Sequence, residues 1–214
     1  MTRIVVVTTA LVLATSTGAM AHRLDEYLQA ARVAVASADI AVQLDLTPGV
    51  SVAAEIIALL DGDGDGRVSP LEAEAYGRAV LADVSARLDG GPLGLTLTRV
   101  EVPTEGEIRD GVGTIRIEAA GAPHAQRPGP HQFELRNSHR PASSVYLANA
   151  LVPQDADIRI VRQQRDARQQ LYSLEYEVRP SKGAAVGWLI AAAAALMAHA
   201  RWRTRPRLDG REIS

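Results

Sequence analysis

The run Asp61-Gly62-Asp63-Gly64-Asp65-Gly66, followed by Arg67-Val68-Ser69-Pro70-Leu71-Glu72, constrains this chain more than any other stretch. Glycine at every second position disfavours both helix and strand, so the segment must be a loop. Four carboxylates crowded into one short loop repel one another unless a cation sits among them. Calcium is a hard cation that takes oxygen ligands at roughly 2.3–2.6 Å, and alternate residues of a curled loop can aim their carboxylates inward to meet it. Asp61, Asp63 and Asp65 fall at loop positions 1, 3 and 5, and Gly66 at position 6, where the chain must turn sharply. Arg67 at position 7 would contribute only its backbone carbonyl. Ser69 at position 9 can ligate directly or through a water. Glu72 at position 12 can close the site with both oxygens. An acidic, glycine-rich surface turn would not require the glycine and the final glutamate at those two places.

This is the spacing of an EF-hand loop, and its flanks fit. A helix is expected from about Val52 to Leu60, with Ser51 as N-cap and Val52, Ile56, Leu59 and Leu60 on one face. A second helix is expected over 71–88. Leu71, Ala75, Tyr76, Ala79, Val80 and Val84 recur there at helical spacing, and Asp89-Gly90-Gly91-Pro92 stops it. The unit would occupy 51–88. EF-hands usually pair, and Val68 is the residue whose backbone would join a second loop, but the sequence holds no second loop. The apolar faces of these helices therefore need another partner, either surrounding strands or a second copy of the chain.

The rest reads as strands. Alternation at Leu28, Ala30, Val33 and Val35, and again at Ile40, Val42, Leu44 and Leu46, predicts a hairpin before the loop. Further strands are expected at Leu93–Val102, Gly113–Ala119, His131–Leu135, Ser144–Val152, Asp157–Arg162 and Gln169–Val178. About eight strands with turns between them imply an α+β chain: an antiparallel β-sandwich with the EF-hand inserted after its first hairpin.

The two ends carry addressing signals. Residues 1–21 have a positive start at Arg3, an apolar run from Ile4 to Ala14 and a small-residue cleavage site at Ala19-Met20-Ala21, the pattern of a secretory signal peptide. Residues 183–200 carry no Asp, Glu, Lys or Arg, with Trp188 and Trp202 towards opposite ends, and read as one membrane span. The tail 201–214 holds five arginines against two acids, which by the positive-inside rule places it in the cytoplasm. The expected whole is a single-pass protein of the inner membrane with a periplasmic domain at 22–180. Residues 22–182 carry sixteen arginines and one lysine against twenty-three acids, a net of −6, a poor balance for nucleic-acid binding. With no cysteine, neither a disulfide nor a thiolate zinc site is available.

The order of signal peptide, Ala-His start, hairpin, Leu-Asp-Gly-Asp-Gly-Asp-Gly-Arg loop, helix and strands resembles the periplasmic amino-terminal region of bacterial HupE/UreJ-like membrane proteins. The resemblance covers roughly residues 18–180. That family is associated with nickel or cobalt permeases. A multi-helix permease follows the periplasmic region there, whereas one short span follows here, so transport is not carried over. The resemblance implies at most a companion subunit or a stand-alone version of the periplasmic domain. It extends to Asp61, Asp63, Asp65, Arg67, Ser69 and Glu72, the positions already found by spacing.

Other chemistry is sparse. A mature amino-terminal His22 could bind nickel or copper through its amine and imidazole, with His124 or His131 as a second ligand, although both lie in a Pro/Gly loop expected to face water. Ser143 and Ser144 lie near His139 in sequence, but no nucleophile-elbow pattern surrounds them, and Asn137-Ser138-His139-Arg140-Pro141 reads as a polar turn. The aspartates alternating with glycine would repel phosphate. The expectation is a non-enzymatic, membrane-anchored calcium-binding protein whose ion is structural. The alternative is an accessory metal-handling subunit of a nickel, cobalt or copper uptake system working with a permease.

Overall fold

The computed structural model of the protein describes residues 25–123 and 126–180. The expected signal peptide, membrane span and basic tail, and also His22 and His124, lie outside the described residues. Among the described residues no helix is long and apolar enough to cross a membrane.

Among the described residues ten strands form two five-stranded sheets that share one hydrophobic core, so this part of the chain is β-rich and its sheets pack as a sandwich. The first sheet contains β1 (Tyr27–Val35), β2 (Ile40–Pro48), β5 (Thr96–Glu101), β6 (Ile115–Gly121) and β8 (Ser144–Ala150), ordered β5-β6-β2-β1-β8. The second contains β3 (Val84–Leu88), β4 (Gly91–Leu93), β7 (Gly129–Asn137), β9 (Ile158–Arg165) and β10 (Leu171–Val178), ordered β4-β3-β7-β10-β9. The sandwich is not wholly antiparallel, because β8 runs parallel to β1, with Tyr27 opposite Ser144. Three helices, α1 (Val50–Leu60), α2 (Pro70–Ala82) and α3 (Glu105–Arg109), complete the described chain.

The expected hairpin and the clean alternation of Tyr172, Leu174, Tyr176 and Val178 are present, the last with every side chain buried. Several expectations need correction. The inward face of β1 is Tyr27, Gln29, Ala31, Val33 and Val35, so Leu28 and Ala30 lie on the other face. A small or polar inward residue, here Gln29 and Ala31, hid that register from an apolar count. α1 starts at Val50 with Gly49 as N-cap and no side-chain cap, so Ser51 is inside the helix. Its buried stripe is Ala53, Ile56, Ile57 and Leu60, and Leu59 is exposed.

The largest correction concerns 71–88. The helix ends at Ala82, and Val84–Leu88 is a strand paired with β7, Val84 opposite Asn137. Asp89 and Gly90, with φ of 50° and 79°, make the two-residue turn of the β3–β4 hairpin rather than a helix stop. The segment expected as one strand at Leu93–Val102 is split between β4 and β5. His131 does not face water from a loop. It lies in β7, stacked on Tyr176 with centroids 5.5 Å apart, its side chain 11% exposed.

Strand direction sorts the molecule into two ends. The starts of β1, β6 and β8 and the ends of β2, β5 and β7 meet at one end, from which the helices emerge. β10 runs antiparallel to β7 and so ends, at Val178, at the opposite end.

Candidate metal centre

α1 and α2 flank the acidic loop and are held against the sandwich. α1 packs on α3, and α2 packs on β5. The approach of α2 is close enough to require Gly77, where a Cβ would lie 2.6 Å from a methyl of Val100. The partner for the apolar faces is therefore the sandwich together with α3. Val68 packs against this core rather than pairing with a second loop among the described residues. A cleft of about 290 Å³ lies beside the loop, lined by Ile57, Leu60, Val68, Val102, Pro103 and Ile108 among others.

Each carboxylate of the loop is aimed by backbone amides. Gly64 and Gly66 have φ of 74° and 81°, a conformation other residues adopt at a cost. Those turns bring the amides of Asp65 and Gly66 to donate to Asp61 at 3.1 and 2.9 Å. The Asp65 amide also donates to Asp63 at 3.1 Å, and the Arg67 amide to Asp65 at 2.8 Å. Asp61, Asp63 and Asp65 thus present ligand oxygens that all lie within 4.8 Å of one another. Oxygens on opposite sides of a calcium ion stand about 4.6–5.2 Å apart, twice the usual bond length. An all-oxygen donor set of this size suits a hard cation.

Glu72 and Ser69 are placed by the start of α2. Pro70 occupies the first turn, and Ser69 and Glu72 form a reciprocal capping box. The Ser69 hydroxyl accepts from the Glu72 amide at 3.3 Å, so it already serves the helix end. One Glu72 oxygen accepts from the Ser69 amide at 2.8 Å, and the other accepts from the amides of Gly62 and Asp63 at 2.8 and 3.3 Å. Glu72 therefore closes the loop from its far end but is not one of the three clustered carboxylates. The hydrogen bonds from Ser69 dominate its electrostatics and hold its carboxyl below the usual range.

A second polar constellation went unrecognised in the sequence. Gln29, Asn137 and His139 are buried between the sheets at the helix end. Asn137 donates to the Gln29 carbonyl oxygen at 2.8 Å, and Gln29 donates to the His139 carbonyl at 2.9 Å and to Ser144 at 2.6 Å. The Tyr146 hydroxyl donates to the same His139 carbonyl at 2.8 Å. The His139 ring faces Asp83, 2.8 Å away, and lies edge-on to Tyr27 and Tyr76, whose hydroxyls meet at 2.6 Å. The turn expected at 137–141 is thus a turn, but an interior one. The serines that follow it reach backbone carbonyls, with Ser144 on His139 and Ser143 on Arg140, and neither ring nitrogen of His139 bonds either hydroxyl. The available signal was Gln29, a polar residue at an inward position of an alternating strand.

No protein-family model matches the chain, and no curated protein matches it.

Proposed function

We propose that this chain is a non-enzymatic, membrane-anchored periplasmic protein that binds one calcium ion in an EF-hand loop at 61–72, where the ion is structural. The observation that carries the reading is the triad Asp61, Asp63 and Asp65, gathered within 4.8 Å, with the Gly66 amide fixed on Asp61. Glu72 and the Arg67 carbonyl would supply further oxygens, and Ser69 a direct or water-bridged one. α3 and β5 take the place that a second EF-hand usually fills against the two helices. Because the loop is flanked on both sides by helices seated on the sandwich, an ion there would fasten α1 to α2 and stiffen their attachment to the sheets. The leader-like residues 1–21 support a periplasmic location, and the apolar run 183–200 supports anchoring. With β10 ending at the far end of the sandwich, such an anchor would leave the metal loop pointing away from the bilayer.

Affinity on the order of 10⁻⁴–10⁻³ M would suffice where calcium is plentiful. At ten times the dissociation constant, binding would stabilise the fold by about 1.4 kcal/mol. Titration calorimetry of the purified protein, with thermal melts in calcium and in chelator, tests this. One calcium site and a melting shift that Asp61→Ala and Glu72→Ala abolish are expected. Variants that bind calcium and melt like the parent in both conditions would refute the assignment.

A further inference from the structure

The turn joining β7 to β8 touches both helices that carry the metal loop, α1 at Glu55, about 9 Å along the helix from Asp61, and α2 at its far end. Arg140 forms an ion pair with Glu55 on α1. His139 bonds the side chain of Asp83, the C-cap of α2, and Ser138 donates to the Asp83 carbonyl through its amide at 3.0 Å and its hydroxyl at 2.9 Å. Asp83 lies about 20 Å along α2 from Ser69, taking a helical rise of about 1.5 Å per residue. The turn itself is under constraint. Arg140 has φ of 50°, a left-handed backbone that a residue with a long side chain adopts only when its surroundings compel it. Its Nε is buried without a hydrogen-bond partner, as is the Nε2 of His139. Such a residue persists only where the contacts around it over-determine its conformation. Here those contacts are one to α1 and several to the end of α2.

We propose that Ser138, His139 and Arg140 act as positioning residues for the metal loop: the turn fixes α1 and α2 in the mutual arrangement that keeps the loop closed, and so raises its affinity for calcium. The proposal rests on the calcium reading above. Linkage makes the effect reciprocal, so an ion in the loop must also steady the turn.

The test is the calcium isotherm of the full chain and of Arg140→Gln and Glu55→Gln, with hydrogen exchange of the parent. Long-range charge effects alone would move the two variants in opposite directions, because one loses a cation and the other an anion. The proposal requires both to weaken calcium binding, by roughly two- to fivefold, the scale of a partly exposed ion pair. The charge-exchanged pair Glu55→Arg with Arg140→Glu should recover the parent's affinity, and calcium should slow exchange of the Ser138 amide. Glu55 is exposed on the helix surface, so Glu55→Gln keeps the test open should Arg140→Gln fail to fold. Calcium binding in the parent with unchanged affinity in folded variants, or opposite shifts in the two, would overturn the positioning role and leave the calcium reading standing. No calcium binding in the parent would remove both.

Discussion

Replacing Tyr76 with phenylalanine should cost more than replacing Tyr76 and Tyr27 together. The two hydroxyls meet at 2.6 Å, where α2 crosses the start of β1, and both residues are almost wholly buried. Neither hydroxyl has another hydrogen-bond partner among the described residues. Burial pushes the Tyr76 phenol up to about 12 and Tyr27 well above its ordinary value, so both stay protonated in any physiological medium. Tyr76→Phe removes one partner and strands the other in the core. A buried hydroxyl left without a partner costs about 1–3 kcal/mol, whereas replacing both partners by apolar groups of the same shape is nearly neutral. For a domain of this size, ~1 kcal/mol corresponds to a shift of about 2–4 °C. The single variant should therefore melt about 2–12 °C below the parent, and the double variant within about 4 °C of it. Thermal and urea unfolding followed by circular dichroism, arranged as a double-mutant cycle, gives the coupling directly. A neutral single variant, or a double variant whose loss equals the sum of the singles, would refute the claim that each hydroxyl depends on the other.

Two further outcomes follow from local geometry. A Cβ at Gly113 would sit 2.8 Å from the Ile108 amide nitrogen and 2.9 Å from the Glu107 carbonyl carbon, so Gly113→Ala must displace α3 and should lower stability by about 1–3 kcal/mol in urea unfolding. Burial disfavours the charged ring of His131, but its hydrogen bonds to the Arg127 carbonyl and to Asp89, both at 2.7 Å, outweigh burial and raise its pKa above 6.5. Its contribution to stability is therefore complete below pH 6.5 and lost as pH rises through the raised value, a loss that His131→Gln should abolish in melts across pH.

Much of the candidate site was legible because its geometry is local. Asp61 to Glu72 span one loop, and glycine at positions of positive φ, a capping serine and a proline in the first helical turn act through neighbours in sequence. The strands of β2 and β10 were legible because strict alternation puts one face in the core. Val84–Leu88 was not, because its apolar spacing continues that of α2. Pairing with β7 decided in favour of strand, although Asp89-Gly90 carried the hairpin signal. α3 was missed because five residues are too few to show a helical period, and only Thr104 and Glu107, its capping box, marked its start.

The sequence by itself determined the acidic loop, its two flanking helices, the leading hairpin and a strand-rich remainder, because each depends on interactions within a few residues or on a period of two. Only the tertiary structure decided what those helices rest on, that β8 joins β1 in parallel, and that Gln29, Asn137 and His139 meet in the interior. Those arrangements bring together groups more than a hundred residues apart, as Gln29 and Asn137 are. No local preference encodes such a meeting. It arises when buried polar groups must find partners at the place where two sheets close over a common core.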